Sequence, residues 1–133
     1  MGTVVVGYVP KPEGEAALTA AIAEAKLRSS TLVVVNSNRG GESFDAKKSA
    51  KTDADMDAVK AQLEEAGVEF EIRQLVRGLE PAEDLIGIAE STDAELIVIG
   101  LRRRTPIGKL ILGSNAQRIL LDTRCPVLAV KPE

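Results

Sequence analysis

The hydrophobic positions of the chain fall into five short runs separated by longer amphipathic segments. The runs are residues 3–9, 32–36, 68–76, 95–100 and 126–131. Three of them contain uninterrupted stretches of Val, Ile and Leu, a pattern typical of parallel strands that are covered on both faces. The third run alternates in part between apolar and charged side chains, which predicts an edge strand with one wetter face.

The segments between these runs have helical patterns. They are residues 13–29, 52–66, 80–91 and 114–122. Their apolar side chains recur at intervals of three and four, which places them on one stripe of a helix. Gly67 follows the second segment as a helix-ending residue, and Pro81 lies in the first turn of the third. The alternation βαβαβαβαβ predicts the α/β class with a mostly parallel sheet.

Length and composition favour one globular domain, which we expect to span residues 1–133. Apolar residues make up 44% of the chain and charged residues 28%, and 133 residues are too few for two ordinary domains. The single cysteine, Cys125, excludes an intramolecular disulfide and fits a reducing compartment. No signal-peptide pattern and no apolar run of about 20 residues is present, so we predict a cytoplasmic protein.

The absence of histidine restricts the chemistry of the chain. It excludes Ser-His-Asp and Cys-His catalysis and zinc sites that use histidine. The net charge of −3 argues against a nucleic-acid-binding protein, which would normally be basic. The few aromatic residues leave little for base stacking as well.

The loop between the fourth run and the last helix is the best candidate for a binding site. Ligands of open α/β sheets bind beyond the carboxyl ends of the strands, where the strand order reverses. Three consecutive arginines, residues 102–104, precede Gly113 and Ser114 at the start of the helix. Gly113 permits close approach of a ligand, Ser114 is a candidate N-cap, and the helix N-terminus suits a phosphate. From spacing alone, ordinary capping and a solvated turn remain the simpler interpretation.

Other segments offer weaker candidates. Residues 38–51 form an irregular stretch, which we interpret as a surface loop, with a mobile lid as the alternative. Asp53, Asp55 and Asp57 alternate as metal ligands can, but nothing completes a calcium loop, so we predict no metal site. Asp84 lies in the first turn of a helix, where a carboxylate interacts favourably with the helix dipole.

The C-terminal third of the chain resembles the universal stress protein family. That family has a G-x2-G-x9-G-[S/T] signature, and Gly100, Gly113 and Ser114 match its outer positions at the right spacing. The final CPVLAV segment, residues 125–130, matches the family's last strand. Residues 4–7 and 76–82 match earlier landmarks, so the resemblance covers the whole chain. Two positions depart from the family: Arg103 replaces the second glycine, and Val9 replaces an acidic residue after the first strand.

The resemblance implies a Rossmann-like fold of the adenine nucleotide α-hydrolase type. Its open sheet has five parallel strands in the order 3-2-1-4-5, with helices on both faces. It also implies a stress-response protein that binds ATP, with Mg²⁺ held through the phosphates, and that senses or stores the nucleotide without fast turnover. Carried over to this sequence, the binding residues are Val9, Gly100, Arg102, Arg103, Gly113, Ser114 and Asn115.

The resemblance further implies a homodimer that forms through the last strand, from Pro126 to Lys131. This strand would otherwise leave an apolar sheet edge uncovered. The alternative function is a dimeric interaction module that binds no nucleotide, which Val9 and Arg103 favour. Enzymatic turnover is not expected because the chain has no histidine and no candidate general base near the loop, although weak ATPase activity stays open.

Overall fold

The five strands of the main sheet and the four helices alternate along the chain in the predicted order, and two further short strands lie between the fourth sheet strand and the last helix. The structure is a computed structural model that describes residues 2–38, 46–76, 81–103, 110–111 and 113–132. The strands are β1 (Thr3–Gly7), β2 (Thr31–Asn38), β3 (Phe70–Val76), β4 (Leu96–Gly100), β5 (Arg102–Arg103), β6 (Leu110–Ile111) and β7 (Val127–Val130). The helices are α1 (Pro12–Arg28), α2 (Ala46–Ala66), α3 (Pro81–Ser91) and α4 (Ser114–Asp122).

In the described part of the chain, five strands form one parallel sheet in the order β3-β2-β1-β4-β7. Val5 of β1 is in register with Val33 of β2 on one side and with Ile97 of β4 on the other. The strand order therefore reverses between β1 and β4. This arrangement confirms both the α/β class and the strand order that the family resemblance implies.

Helices cover both faces of the sheet, and this explains the continuous apolar runs. Val4 and Val6 pack against α1 and α2, where Leu18 and Leu63 are fully buried. Val5 points to the opposite face and packs in a second cluster with residues of α3 and α4. Successive side chains of a strand alternate between faces, so a strand buried on both sides needs an apolar residue at every position. Of the helices in the described segments, none has the length and apolar character needed to cross a membrane.

Helix α2 begins earlier than the sequence pattern predicts. Residues 46–51 are helical and Asn38 belongs to β2, so the predicted loop at 38–51 was wrong at both ends; residues 39–45 lie outside the described residues. Alanine and lysine dominate this first part of α2, and they favour a helix without marking an apolar stripe. The prediction took Thr52 and Asp53 as residue types that begin a helix, and so it started the helix inside the real one.

Two differences concern the segment between β4 and α4. Strands β5 and β6 pair in antiparallel fashion. Each has two residues, which is too short to produce a recognisable sequence pattern. Helix α4 spans the predicted residues, but its N-cap is Gly113, in an extended conformation. The prediction that Ser114 caps this helix was wrong, because Ser114 is already the first helical residue.

Candidate functional site

A cleft of about 270 Å³ opens at the carboxyl end of the sheet, where β1 and β4 adjoin. This is the position at which the strand order reverses, where open α/β sheets bind their ligands. The lining residues come from the ends of β1, β2 and β4 and from the starts of α1, α3 and α4. They are Gly7, Tyr8, Val9, Lys11, Glu13, Gly14, Val35, Ser37, Pro81, Leu85, Ile99, Gly100, Leu101, Arg102, Gly113, Ser114, Asn115, Ala116 and Ile119.

The structure brings most of the predicted binding residues together at this cleft. Val9 and Gly100 lie at the ends of β1 and β4, and Arg102 begins β5 with an exposed side chain. The remaining ones lie at the start of α4: Gly113, Ser114 and Asn115. The backbone of Arg103 pairs with Leu110, and its side chain lies outside the described residues.

The start of α1 lies directly against the ends of β1 and β4. A Cβ atom on Gly14 would overlap the carbonyl oxygen of Val9, and one on Gly100 would overlap the carbonyl of Glu13. Both collisions are with backbone, which cannot rotate away as a side chain can. The packing of α1 against β4 therefore requires glycine at position 100, independently of any ligand. Sequence reasoning missed Gly14, because a single glycine in a helical pattern has no evident partner.

Asn115 joins the first turns of α3 and α4. Its Oδ1 accepts a hydrogen bond from the backbone N–H of Ala82, with a donor–acceptor distance of 3.2 Å. Pro81 has no N–H, so Ala82 carries the first donor of α3 that needs a partner outside the helix. One turn further along α4, Arg118 Nη1 lies 2.8 Å from Glu83 Oε1. The two helix N-termini are thus held side by side at the cleft.

We expect Asn115→Ala to lower the free energy of unfolding by about 1 kcal/mol, because it removes this cap. Asn115→Asp is the matched control, since a carboxylate also accepts from the Ala82 N–H and interacts favourably with both helix dipoles. Chemical denaturation of the three proteins would measure the difference. Equal losses in Ala and Asp variants would contradict a capping role.

Tyr8 fixes the turn that follows β1. Its side chain is 4% exposed, and its hydroxyl donates to Glu15 Oε1 at 2.6 Å. Its backbone carbonyl accepts from Asn36 Nδ2 at 3.0 Å, and its N–H donates to the carbonyl of Val35 at 2.9 Å. Burial raises the pKa of Tyr8 above its ordinary value, and the hydrogen bond and charge of Glu15, with the charge of Asp55, raise it further. The turn is therefore attached to both β2 and α1.

Charge and polarity differ between the two ends of the cleft. The exposed Arg102 lies on the β4 side with the N-terminus of α4. Val35 of β2 and Leu85 of α3, which packs over Gly7 of β1, form an apolar wall on the other side. Val9 is 38% exposed between them. The arrangement suits a ligand with an anionic end at α4 and a flat apolar part toward β2.

Comparison with known proteins identifies relatives along nearly the whole chain. The model of the universal stress protein family matches residues 1–131. A universal stress protein of Mycolicibacterium smegmatis is 48% identical over 129 residues, which cover 97% of each chain.

Solved structures show the same fold. A universal stress protein of Archaeoglobus fulgidus superposes with a TM-score of 0.85 at 35% identity, over 98% of this chain and 99% of its own. A structure of the universal stress protein from Archaeoglobus fulgidus in complex with dAMP has a TM-score of 0.80 at 30% identity, over 98% of both chains. With its fold, its sequence signature and these relatives in agreement, the chain belongs to the universal stress protein family.

Proposed function

We propose that the protein binds an adenine nucleotide in the cleft, with the phosphate at the start of α4, and acts as a nucleotide-sensing stress-response protein. The observation that carries the proposal is the joint placement of Arg102 and the N-terminus of α4 on one side of the cleft. The Archaeoglobus fulgidus relative whose structure contains dAMP supports it.

The start of α4 offers main-chain donors to an anion. The hydrogen bond that opens this helix runs from the N–H of Gln117 to the carbonyl of Gly113, at 3.0 Å. The N–H groups of Ser114, Asn115 and Ala116 precede it, at the positive end of the helix dipole. Arg102 adds a guanidinium, whose forked donors match phosphate oxygens.

ATP is the form we propose first, with Mg²⁺ held mainly by its phosphates. Within the described residues, His, Cys, Asp and Glu side chains do not gather in groups of three that could hold a metal ion. The metal would therefore neutralise the charge of the phosphates and would not occupy a separate site made of protein ligands. The chain's own contribution is to bind and orient the nucleotide, and it has no histidine to act as a general base.

Isothermal titration with AMP, ADP and Mg-ATP tests the proposal. We expect Arg102→Ala to weaken nucleotide binding about tenfold, because it removes a charge-assisted hydrogen bond. Arg124→Ala is the matched control, since Arg124 is also exposed but precedes β7 at the opposite end of the sheet. No heat at millimolar nucleotide, or equal losses in the two variants, would contradict the proposal.

The exposed Val9 favours a second candidate, a family member that works through protein contacts without nucleotide. An apolar side chain at this place offers no carboxylate to orient a ribose or a base. The double variant Val9→Asp/Arg103→Gly separates the two functions. Nucleotide binding by the double variant alone would assign the natural chain to the nucleotide-free group.

We also propose a homodimer through the free side of β7. The N–H groups of Ile97 and Leu101 donate to the carbonyls of Pro126 and Val130, at 3.0 and 2.8 Å. In this register, the backbone polar groups of the even-numbered residues of the segment 126–130 point toward β4. The polar backbone groups of Val127 and Ala129 consequently face away from the sheet, where no strand of the described segments pairs with them. A second copy would satisfy these groups.

Light scattering at micromolar concentration should give twice the 14.1-kDa chain mass for the natural protein. Ala129→Pro removes an outward N–H without touching the bonds to β4, so we expect a monomer of unchanged circular dichroism. A monomeric natural protein would contradict the proposal, and so would a variant that stays dimeric.

A further inference from the structure

Ser37 and Asp84 form a polar pair at the β2 end of the cleft. Ser37 lies near the end of β2, is half-buried and lines the cleft. Its hydroxyl donates a hydrogen bond to Oδ2 of Asp84, which lies in the first turn of α3 and is 5% exposed. A buried carboxylate is thus placed directly behind a serine that a ligand can reach.

The pair controls which way the serine hydroxyl points. A serine has one proton to donate and two lone pairs to accept with, whereas a carboxylate only accepts. Since the Ser37 proton is directed to Asp84, the oxygen presents its lone pairs to the cleft. This part of the wall is therefore an acceptor, and a ligand atom that meets it must be a donor.

The other groups of the cleft determine which part of a nucleotide reaches Ser37. Strand β1 lies between β2 and β4, so the ends of β2 and β4 are roughly 9–10 Å apart. Arg102 and the start of α4 occupy the β4 side, where a phosphate is favoured. At the β2 side, the charge of Asp84 disfavours a phosphate, and the apolar Val35 and Leu85 suit the faces of a base.

We propose that the Ser37–Asp84 pair is a specificity determinant that selects a 6-aminopurine over a 6-oxopurine. The inference rests on the nucleotide binding proposed above and adds to it the group that reads the base. The exocyclic amine of adenine donates to the Ser37 oxygen. The carbonyl of a 6-oxopurine brings a second acceptor to the same place, so neither the Ser37 oxygen nor the carbonyl oxygen receives a hydrogen bond.

A purely structural role for the pair is the competing explanation, because the hydrogen bond also ties β2 to α3. Stability measurements alone do not separate the two roles, since both predict some loss when Ser37 is changed. The ratio of affinities for two bases does separate them. If the hydrogen bond only held β2 to α3, the preference between an amine and a carbonyl at the same purine position would not depend on Ser37.

The test compares the dissociation constants of AMP and IMP, which differ in the amino or oxo group at this position. We expect the natural protein to bind AMP at least about tenfold more tightly than IMP. Ser37→Ala should bring the two constants within about threefold of each other, because the acceptor is gone. Ser37→Thr, which keeps the hydroxyl, should retain the preference, and thermal unfolding would verify that all three proteins are folded.

Each outcome has a distinct meaning. Equal affinities in the natural protein would overturn the inference and leave nucleotide binding intact. A preference for AMP that survives in Ser37→Ala would likewise overturn the assignment to Ser37. Binding of neither nucleotide would overturn the proposed function, and this inference with it.

Discussion

Gly14→Ala should lower the free energy of unfolding by about 3 kcal/mol, through a collision that only backbone movement can relieve. The new Cβ atom would overlap the carbonyl oxygen of Val9, so the start of α1 would have to move away from the strand ends. Because Gly14 is buried and lines the cleft, nucleotide binding should weaken as well. Chemical denaturation would measure the stability, and titration would measure the binding.

Gly87→Ala provides a control with the same chemical change. Gly87 is exposed within α3, and a Cβ atom there would meet no other atom within 4 Å. Alanine forms helices better than glycine, so we expect this variant to be more stable by up to about 1 kcal/mol. If Gly14→Ala were as stable as the natural protein, the close contact between α1 and β1 would be wrong.

The stability of the protein should fall steeply in alkali because of Tyr8. Burial, together with Glu15 and Asp55, raises the pKa of Tyr8 in the folded state, whereas an unfolded tyrosine ionises near pH 10. Because the pKa is raised in the folded state, the contribution of Tyr8 to the free energy of unfolding is complete below about pH 10 and is lost as the pH rises further. Tyr8 alone should then cost ~1.4 kcal/mol of stability for each additional pH unit.

This dependence is open to direct measurement because the chain has one tyrosine and no tryptophan. Phenolate absorbance therefore reports Tyr8 alone, and it should appear together with alkaline unfolding rather than before it. Tyr8→Phe removes the ionising group and should flatten the same part of the pH profile. Phenolate formation near pH 10 in a protein that stays folded would contradict the buried hydrogen bond to Glu15.

The fold was predictable because its layers leave a clear pattern in the sequence. Strands such as β1 and β4 are covered on both faces, and their continuous runs of Val and Ile therefore have few interpretations other than a buried strand. The start of α2 was not predictable in this way. Its first residues contribute helix propensity but no apolar stripe, and Thr52 and Asp53 inside the helix are residue types that begin one.

The candidate site was predictable only in part, for a related reason. The residues at the start of α4 are adjacent in sequence and match a family signature, so their grouping was visible. Ser37 and Asp84 meet across 47 positions, and Asn115 reaches Ala82 across 33. Such contacts depend on how α3 packs between β2 and α4, which a local pattern does not contain.

The contacts of main chain with main chain at Gly14 and Gly100 have a mechanical consequence. At these two contacts no side chain can change rotamer to make room for an occupant, so the start of α1 is fixed against the strand ends. Any structural adjustment to a bound ligand would then occur in the opposite wall. There α4 is connected to β7, whose outer edge is the surface proposed for the second copy. Occupancy and self-association would then be linked equilibria, each shifting the other by the same factor.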